Sequence, residues 1–126
     1  MSRPRVLVVD DHAANLKLIA FVLQARGFDV IVAQDADEAH AALERELPAL
    51  ILMDVQLPRV DGLTLTRSLR ADERWAHVPI VAVTAYAMAS DRRAALEAGC
   101  TAFVAKPIET RTLGELVRRL VEGGAP

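Results

Sequence analysis

Apolar and polar positions fall into five repeated blocks, each a short apolar run followed by a longer segment with apolar residues at helical spacing. Val6–Val9 (VLVV), Asp29–Ala33 (DVIVA), Leu50–Asp54 (LILMD), Ile80–Val83 (IVAV) and Thr101–Ala105 (TAFVA) read as strands. Runs this short and continuously apolar suit strands covered on both faces, as in a parallel sheet. Between them, Ala13–Arg26 carries Leu16, Ile19, Ala20 and Leu23 on one helical face, with Gly27 as its stop. Asp35 and Glu38 have the spacing of a capping box, opening a helix through Leu47 that Pro48 closes. Gly62 to about Asp72, with Leu63, Leu65, Leu69 and two arginines, predicts an amphipathic surface helix. Ala89–Ala98, stopped by Gly99, and Glu109–Glu122, with Leu113, Leu116, Val117 and Leu120 inward, complete the set. Trp75 is expected to lid the core edge, and His40 and His77 to lie exposed.

Strict alternation specifies an α/β fold: a five-stranded parallel sheet, doubly wound, with helices on both faces and right-handed connections. In the strand order 2-1-3-4-5, the first and third strands are neighbours at the switch point where ligands bind. At 126 residues and 13.7 kDa the chain is expected to be one domain over 1–126, without linker or low-complexity segment. Alanine is a large part of the 52% hydrophobic content and aromatics only 4%, which implies an aliphatic core under tightly packed helices.

Net charge is -2, pI about 5.9, and no long basic run occurs, so a nucleic-acid partner is not expected. Cys100 is the lone thiol, which excludes an internal disulfide and a thiolate metal site and fits a reducing compartment. The start, MSRPRVLVVDDH, reaches acidic residues too soon for a signal peptide or membrane span, predicting a soluble cytoplasmic protein with no membrane partner.

The chemistry lies just past the strands: Asp10 and Asp11 after the first, Asp54 after the third, Thr84 after the fourth, Lys106 after the fifth. Alone, each has an ordinary reading as a helix cap, a turn hydroxyl or a surface charge. Parallel strands, however, bring all five to one edge, and the joint pattern is the stronger signal. Two carboxylates 4 Å apart repel by about 4 kcal/mol at the effective dielectric of a protein surface. A hard divalent cation relieves that crowding, and few protein carboxylates with room for water favour Mg²⁺ over caged Ca²⁺. An ammonium, a hydroxyl and the backbone N–H of Ala85 beside a carboxylate are the equipment phosphoryl transfer needs. His12 is expected at the pocket rim in the first helical turn, imidazole being a poor match for a hard cation.

Asp10-Asp11, LILMD with Asp54, the LPRVDG loop, Thr84-Ala85 and Lys106-Pro107 together resemble the receiver domain of bacterial two-component response regulators. Over VTAYAMASDRRAALEAGCTAFVAKPI the likeness is to stand-alone cell-cycle receivers and to receivers of hybrid histidine kinases. The resemblance implies a flavodoxin-like fold without an output domain, and a phosphoprotein working in two-component signalling or a phosphorelay. Asp54 would accept a phosphoryl group from a phosphohistidine on a histidine kinase or phosphotransfer protein. Asp11, Asp54 and the backbone carbonyl of Gln56 would hold Mg²⁺ (or Mn²⁺), with Asp10 acting largely through water. Lys106, the Thr84 hydroxyl and the Ala85 N–H would bind the phosphoryl group. Thr84 and Phe103 would be the switch pair, Gln56 and Tyr86 would tune acyl-phosphate lifetime, and Lys106-Pro107 would be a cis peptide. A downstream protein would read the face of the fourth helix, fifth strand and fifth helix. On this reading the chain is not an enzyme beyond its own phosphorylation and dephosphorylation. The alternatives are a phosphorylation-independent adaptor of the same fold and a receiver excised from a hybrid kinase. A flavodoxin-type electron carrier would place a phosphate cradle where Asp10-Asp11 stand, and a haloacid dehalogenase-type hydrolase would have a carboxylate at Gln56.

Overall fold

In a computed structural model that describes residues 3 to 124, strands and helices alternate along the chain. The strands are β1 (Arg5–Val9), β2 (Asp29–Ala33), β3 (Leu50–Asp54), β4 (Ile80–Thr84) and β5 (Ala102–Ala105). The helices are α1 (Ala13–Ala25), α2 (Ala36–Arg45), α3 (Gly62–Arg70), α4 (Ala89–Ala98) and α5 (Thr110–Val121). All strand pairs are parallel, in the order β2-β1-β3-β4-β5.

Side-chain alternation along the strands builds two cores. Val6, Val8, Leu50, Leu52 and Val81 face α1 and α5, packing against Leu16, Ile19, Leu23, Leu113, Val117 and Leu120. Leu7, Val9, Ile51, Met53, Ile80 and Ala82 face α2, α3 and α4, packing against Ala39, Leu43, Leu65, Leu69 and Ala95. Each fully buried Leu or Ile contributes roughly 1.5–3 kcal/mol of transfer free energy, so β3, buried along its whole length, anchors both layers.

The helix ends follow local chemistry. The Asp35 carboxylate accepts the Glu38 N–H at 2.8 Å, while the Glu38 carboxylate accepts the N–H of Gln34 at 2.9 Å, one residue before the cap. α2 ends at Arg45, short of the expected Leu47, because the chain is already extended at Glu46 (φ -163) on its approach to Pro48. Gly99 closes α4 in the left-handed conformation (φ 108), which a residue with a Cβ adopts at a cost.

Trp75 is the expected lid, 4% exposed. His40, expected in solvent, is half-buried, with its ring 6.0 Å from that of Trp75. Arg70 also departs from the surface-helix expectation. Its guanidinium donates to the carbonyls of Gly99 (2.8 Å), Val78 (2.7 Å), Ala76 (3.1 Å) and Trp75 (3.3 Å), and lies 3.4 Å from the Thr101 hydroxyl. It thereby ties the end of α4 to the segments that enter β4 and β5.

Candidate functional site

Asp54 closes β3 and is 1% exposed. Its backbone is wedged between β4, where the Val55 N–H donates to the Val83 carbonyl (3.0 Å), and the start of α3, where the Gly62 N–H donates to the Val55 carbonyl (2.9 Å). A Cβ on Gly62 would stand 2.1 Å from the Asp54 carbonyl oxygen, so a glycine is needed for α3 to approach this closely.

Continuing the strand alternation puts Asp10, Asp54 and Lys106 on the α1/α5 side of the sheet. Lys106 Nζ lies 3.1 Å from Asp54 Oδ2 and 3.7 Å from Asp10 Oδ2. Asp10, 2% exposed, also accepts the His12 N–H (2.8 Å) and is 3.3 Å from Asn15 Nδ2. The second oxygen of Asp54 accepts the Gln56 N–H at 3.0 Å. Burial pushes the Asp54 carboxyl above the usual aspartate value; the Gln56 N–H pulls it back, the Asp10 charge pushes with burial, and Lys106 pulls back again.

Asp11 is exposed at the rim. Asp10, Asp11, His12 and Asp54 each bring one ligand atom into a group whose members all lie within 4.8 Å of one another. Three carboxylates so close, beside a single ammonium, leave uncompensated negative charge that a hard divalent cation fits. His12 is the N-cap residue of α1, one position before the expected first turn, and its Nδ1 lies 3.1 Å from Asp11 Oδ1 and 3.3 Å from Asp10 Oδ1.

Thr84 stands apart from this group. Alternation on β4 places it with Ala82 on the α3/α4 side, where it lines a small cavity with Gln56, Leu63, Ala94 and Phe103. Its hydroxyl accepts the Tyr86 N–H at 3.0 Å and meets both ends of the Gln56 carboxamide, Nε2 at 2.9 Å and Oε1 at 3.1 Å. Ala85 follows, exposed, and the Tyr86 side chain is 63% exposed. Phe103 is half-buried on β5 opposite Ala82, with the Arg92 guanidinium 5.2 Å over its ring. Lys106-Pro107 is cis.

Asp10, Asp11, Asp54 and Lys106 thus converge, while Thr84 joins them through Gln56. Sequence reasoning missed Asn15, the Gly62 seat and Arg59. Arg59, in the loop between β3 and α3, takes a left-handed conformation (φ 65) and its guanidinium pairs with Asp35 at 3.0 Å. The LPRVDG turn was the available signal for it.

The family model for "Response regulator receiver domain" matches residues 6–118. The polar-differentiation response regulator DivK of Brucella ovis is 38% identical over 113 residues, covering 90% of this chain and 92% of DivK. Among solved structures, the receiver domain of a sensor histidine kinase from Pseudomonas aeruginosa superposes with TM-score 0.87 at 34% identity, covering 97% of this chain and 99% of that one. That structure holds a magnesium ion in its active site cleft. The chemotaxis protein CheY4 of Vibrio cholerae gives TM-score 0.89 at 25% identity over 94% of this chain and 98% of that one. With the acidic pocket at the end of β1 and β3 and the family match running from β1 into α5, the chain belongs to the response regulator receiver domain family.

Proposed function

We propose that Asp54 is the phosphoacceptor of a signalling switch, charged by a phosphohistidine on a histidine kinase or phosphotransfer protein. An Asp54 carboxylate oxygen attacks phosphorus, the P–N bond breaks, and the imidazole leaves with the electron pair. Asp11, Asp54 and the backbone carbonyl of Gln56 hold Mg²⁺, with Asp10 acting through water; Mn²⁺ is able to take the same place. The metal supplies positive charge to the developing phosphoryl oxygens. Lys106, already 3.1 Å from Asp54, turns its ammonium to the incoming group. The Ala85 N–H and the Thr84 hydroxyl bind the remaining oxygens, and Thr84 with Phe103 relays the change. Gln56 and Tyr86 set how fast water removes the group.

The whole chain works as one receiver module in the cytoplasm, turning over no separate substrate. Its output is contact with a downstream protein at the face of α4, β5 and α5, where Leu96, Phe103, Val104 and Leu116 line an open groove of about 540 Å³ between Arg92 and Arg119. No helix among the described residues is long and apolar enough to cross a membrane. The observation that carries the reading is the direct contact of one ammonium with two buried carboxylates from different strands.

Incubation with Mg²⁺ and acetyl phosphate, followed by intact mass, tests it. The natural chain should gain one phosphoryl group and Asp54→Asn none. A natural chain left unmodified under conditions that label another receiver would overturn the proposal.

A further inference from the structure

We propose that the Gln56 side chain is a latch on the Thr84 hydroxyl and sets how readily the pocket takes a phosphoryl group, an inference that rests on Asp54 being the phosphoacceptor. A hydroxyl has one proton to give and two lone pairs to offer. Here the Tyr86 N–H (3.0 Å) and Gln56 Nε2 (2.9 Å) address the lone pairs, and Gln56 Oε1 (3.1 Å) takes the proton. Phosphoryl oxygens on Asp54 only accept, so they require that same proton. Two acceptors therefore compete for one O–H, and the carboxamide holds it before phosphorylation.

The strand geometry gives the competition a direction. Asp54 and Lys106 occupy the α1/α5 side of the sheet, whereas Thr84 lines the cavity on the α3/α4 side with Leu63 and Phe103. Gln56 spans the two. Its N–H is bonded to Asp54 Oδ1 and its side chain to Thr84, 28 residues away, so the same residue senses the acceptor carboxylate and restrains the hydroxyl. A cavity of about 40 Å³ beside both side chains leaves slack for the carboxamide to withdraw. Gln56 is in this respect a positioning residue: its side chain acts through Thr84.

Beryllofluoride, a phosphoryl mimic that does not hydrolyse, separates this role from any effect on acyl-phosphate lifetime. Calorimetric titration of the full chain in Mg²⁺ should show tighter binding for Gln56→Met, nearly isosteric but without the acceptor oxygen. The expected gain is about three- to tenfold in Kd, the span of one neutral hydrogen bond. Gln56→Leu should behave alike, with unchanged circular dichroism for both. In a Thr84→Val background, with no hydroxyl to release, Gln56→Met should leave Kd unchanged. An unaltered or weakened Kd in the single variants, or a gain that persists with Thr84→Val, would overturn the latch. If the natural chain neither binds beryllofluoride nor is labelled by acetyl phosphate, the phosphoacceptor reading itself fails; binding by the natural chain without a gain in the variants removes the latch alone.

Discussion

The two ends of the sheet bury charge in opposite ways. At the carboxyl end, Asp10 and Asp54 share one ammonium, and further carboxylate from Asp11 stands at the rim. At the amino end of β4 and β5, one cation, Arg70, is surrounded by four neutral carbonyls and a hydroxyl. Among the described residues, every buried side-chain nitrogen or oxygen finds a partner, so neither end is unsatisfied. What separates them is charge balance. The carboxylates carry surplus charge with one ammonium between them, whereas the guanidinium is spent on four backbone carbonyls and one hydroxyl. Surplus charge makes a receptor, and matched donors make a clamp.

Removing the clamp is the harshest test of this contrast. Arg70→Ala orphans several half-buried carbonyls and should cost about 3 kcal/mol in denaturant titration. It should also open Cys100. Burial pushes that thiol above its ordinary value, and in the natural chain it should resist a disulfide reagent until unfolding, while the variant reacts in the native state. Unchanged stability and thiol protection would mean the arginine is ornamental.

The acidic end should answer in the other direction. Burial raises the folded Asp54 carboxyl above its ordinary 3.8, so the folded state holds a proton that the unfolded chain has lost. This contribution is fully present below the unfolded value and is lost as pH rises through the folded one. Without metal, Asp54→Asn should therefore be more stable than the natural chain by about 1 kcal/mol at pH 7, with the gap closing towards pH 4. Added Mg²⁺ should stabilise the natural chain more than the variant, narrowing the difference. Equal melting temperatures in chelator at pH 7 would break the comparison.

The smallest effect is expected on the rim of the carboxyl end, in the loop after β3. Arg59→Gly releases a left-handed non-glycine residue but gives up exposed pairs with Asp35 and Asp37, leaving a gain of about 0.5 kcal/mol or less. A clear loss would show that this loop is held by charge and not merely tolerated.

The fold was legible because doubly covered strands appear as bare apolar runs and the helices carry their own start and stop signals, as at Asp35 and Gly99. The acidic pocket was legible because parallel strands deliver their exits to one edge. Arg70 escaped because its partners are carbonyls 5 to 8 and 29 residues away, and a carbonyl leaves no trace in residue type. Thr84 was assigned to the right edge, but a neighbour two residues past Asp54 turned out to hold its hydroxyl, which depends on how the loop folds back. His40 escaped for a similar reason: its burial comes from Trp75, 35 residues on, with no periodicity to announce it.

Gly62 gives the site a rigid wall. With α3 touching the Asp54 carbonyl through a residue that has no side chain to yield, the Asp54 main chain has no travel in that direction. Adjustment to a new group on Asp54 is left to the flank where hydroxyl, ring and hollow lie together, at Thr84 and Phe103. One missing methyl group thus makes the pocket a one-way lever, stiff behind Asp54 and compliant towards Thr84 and Phe103.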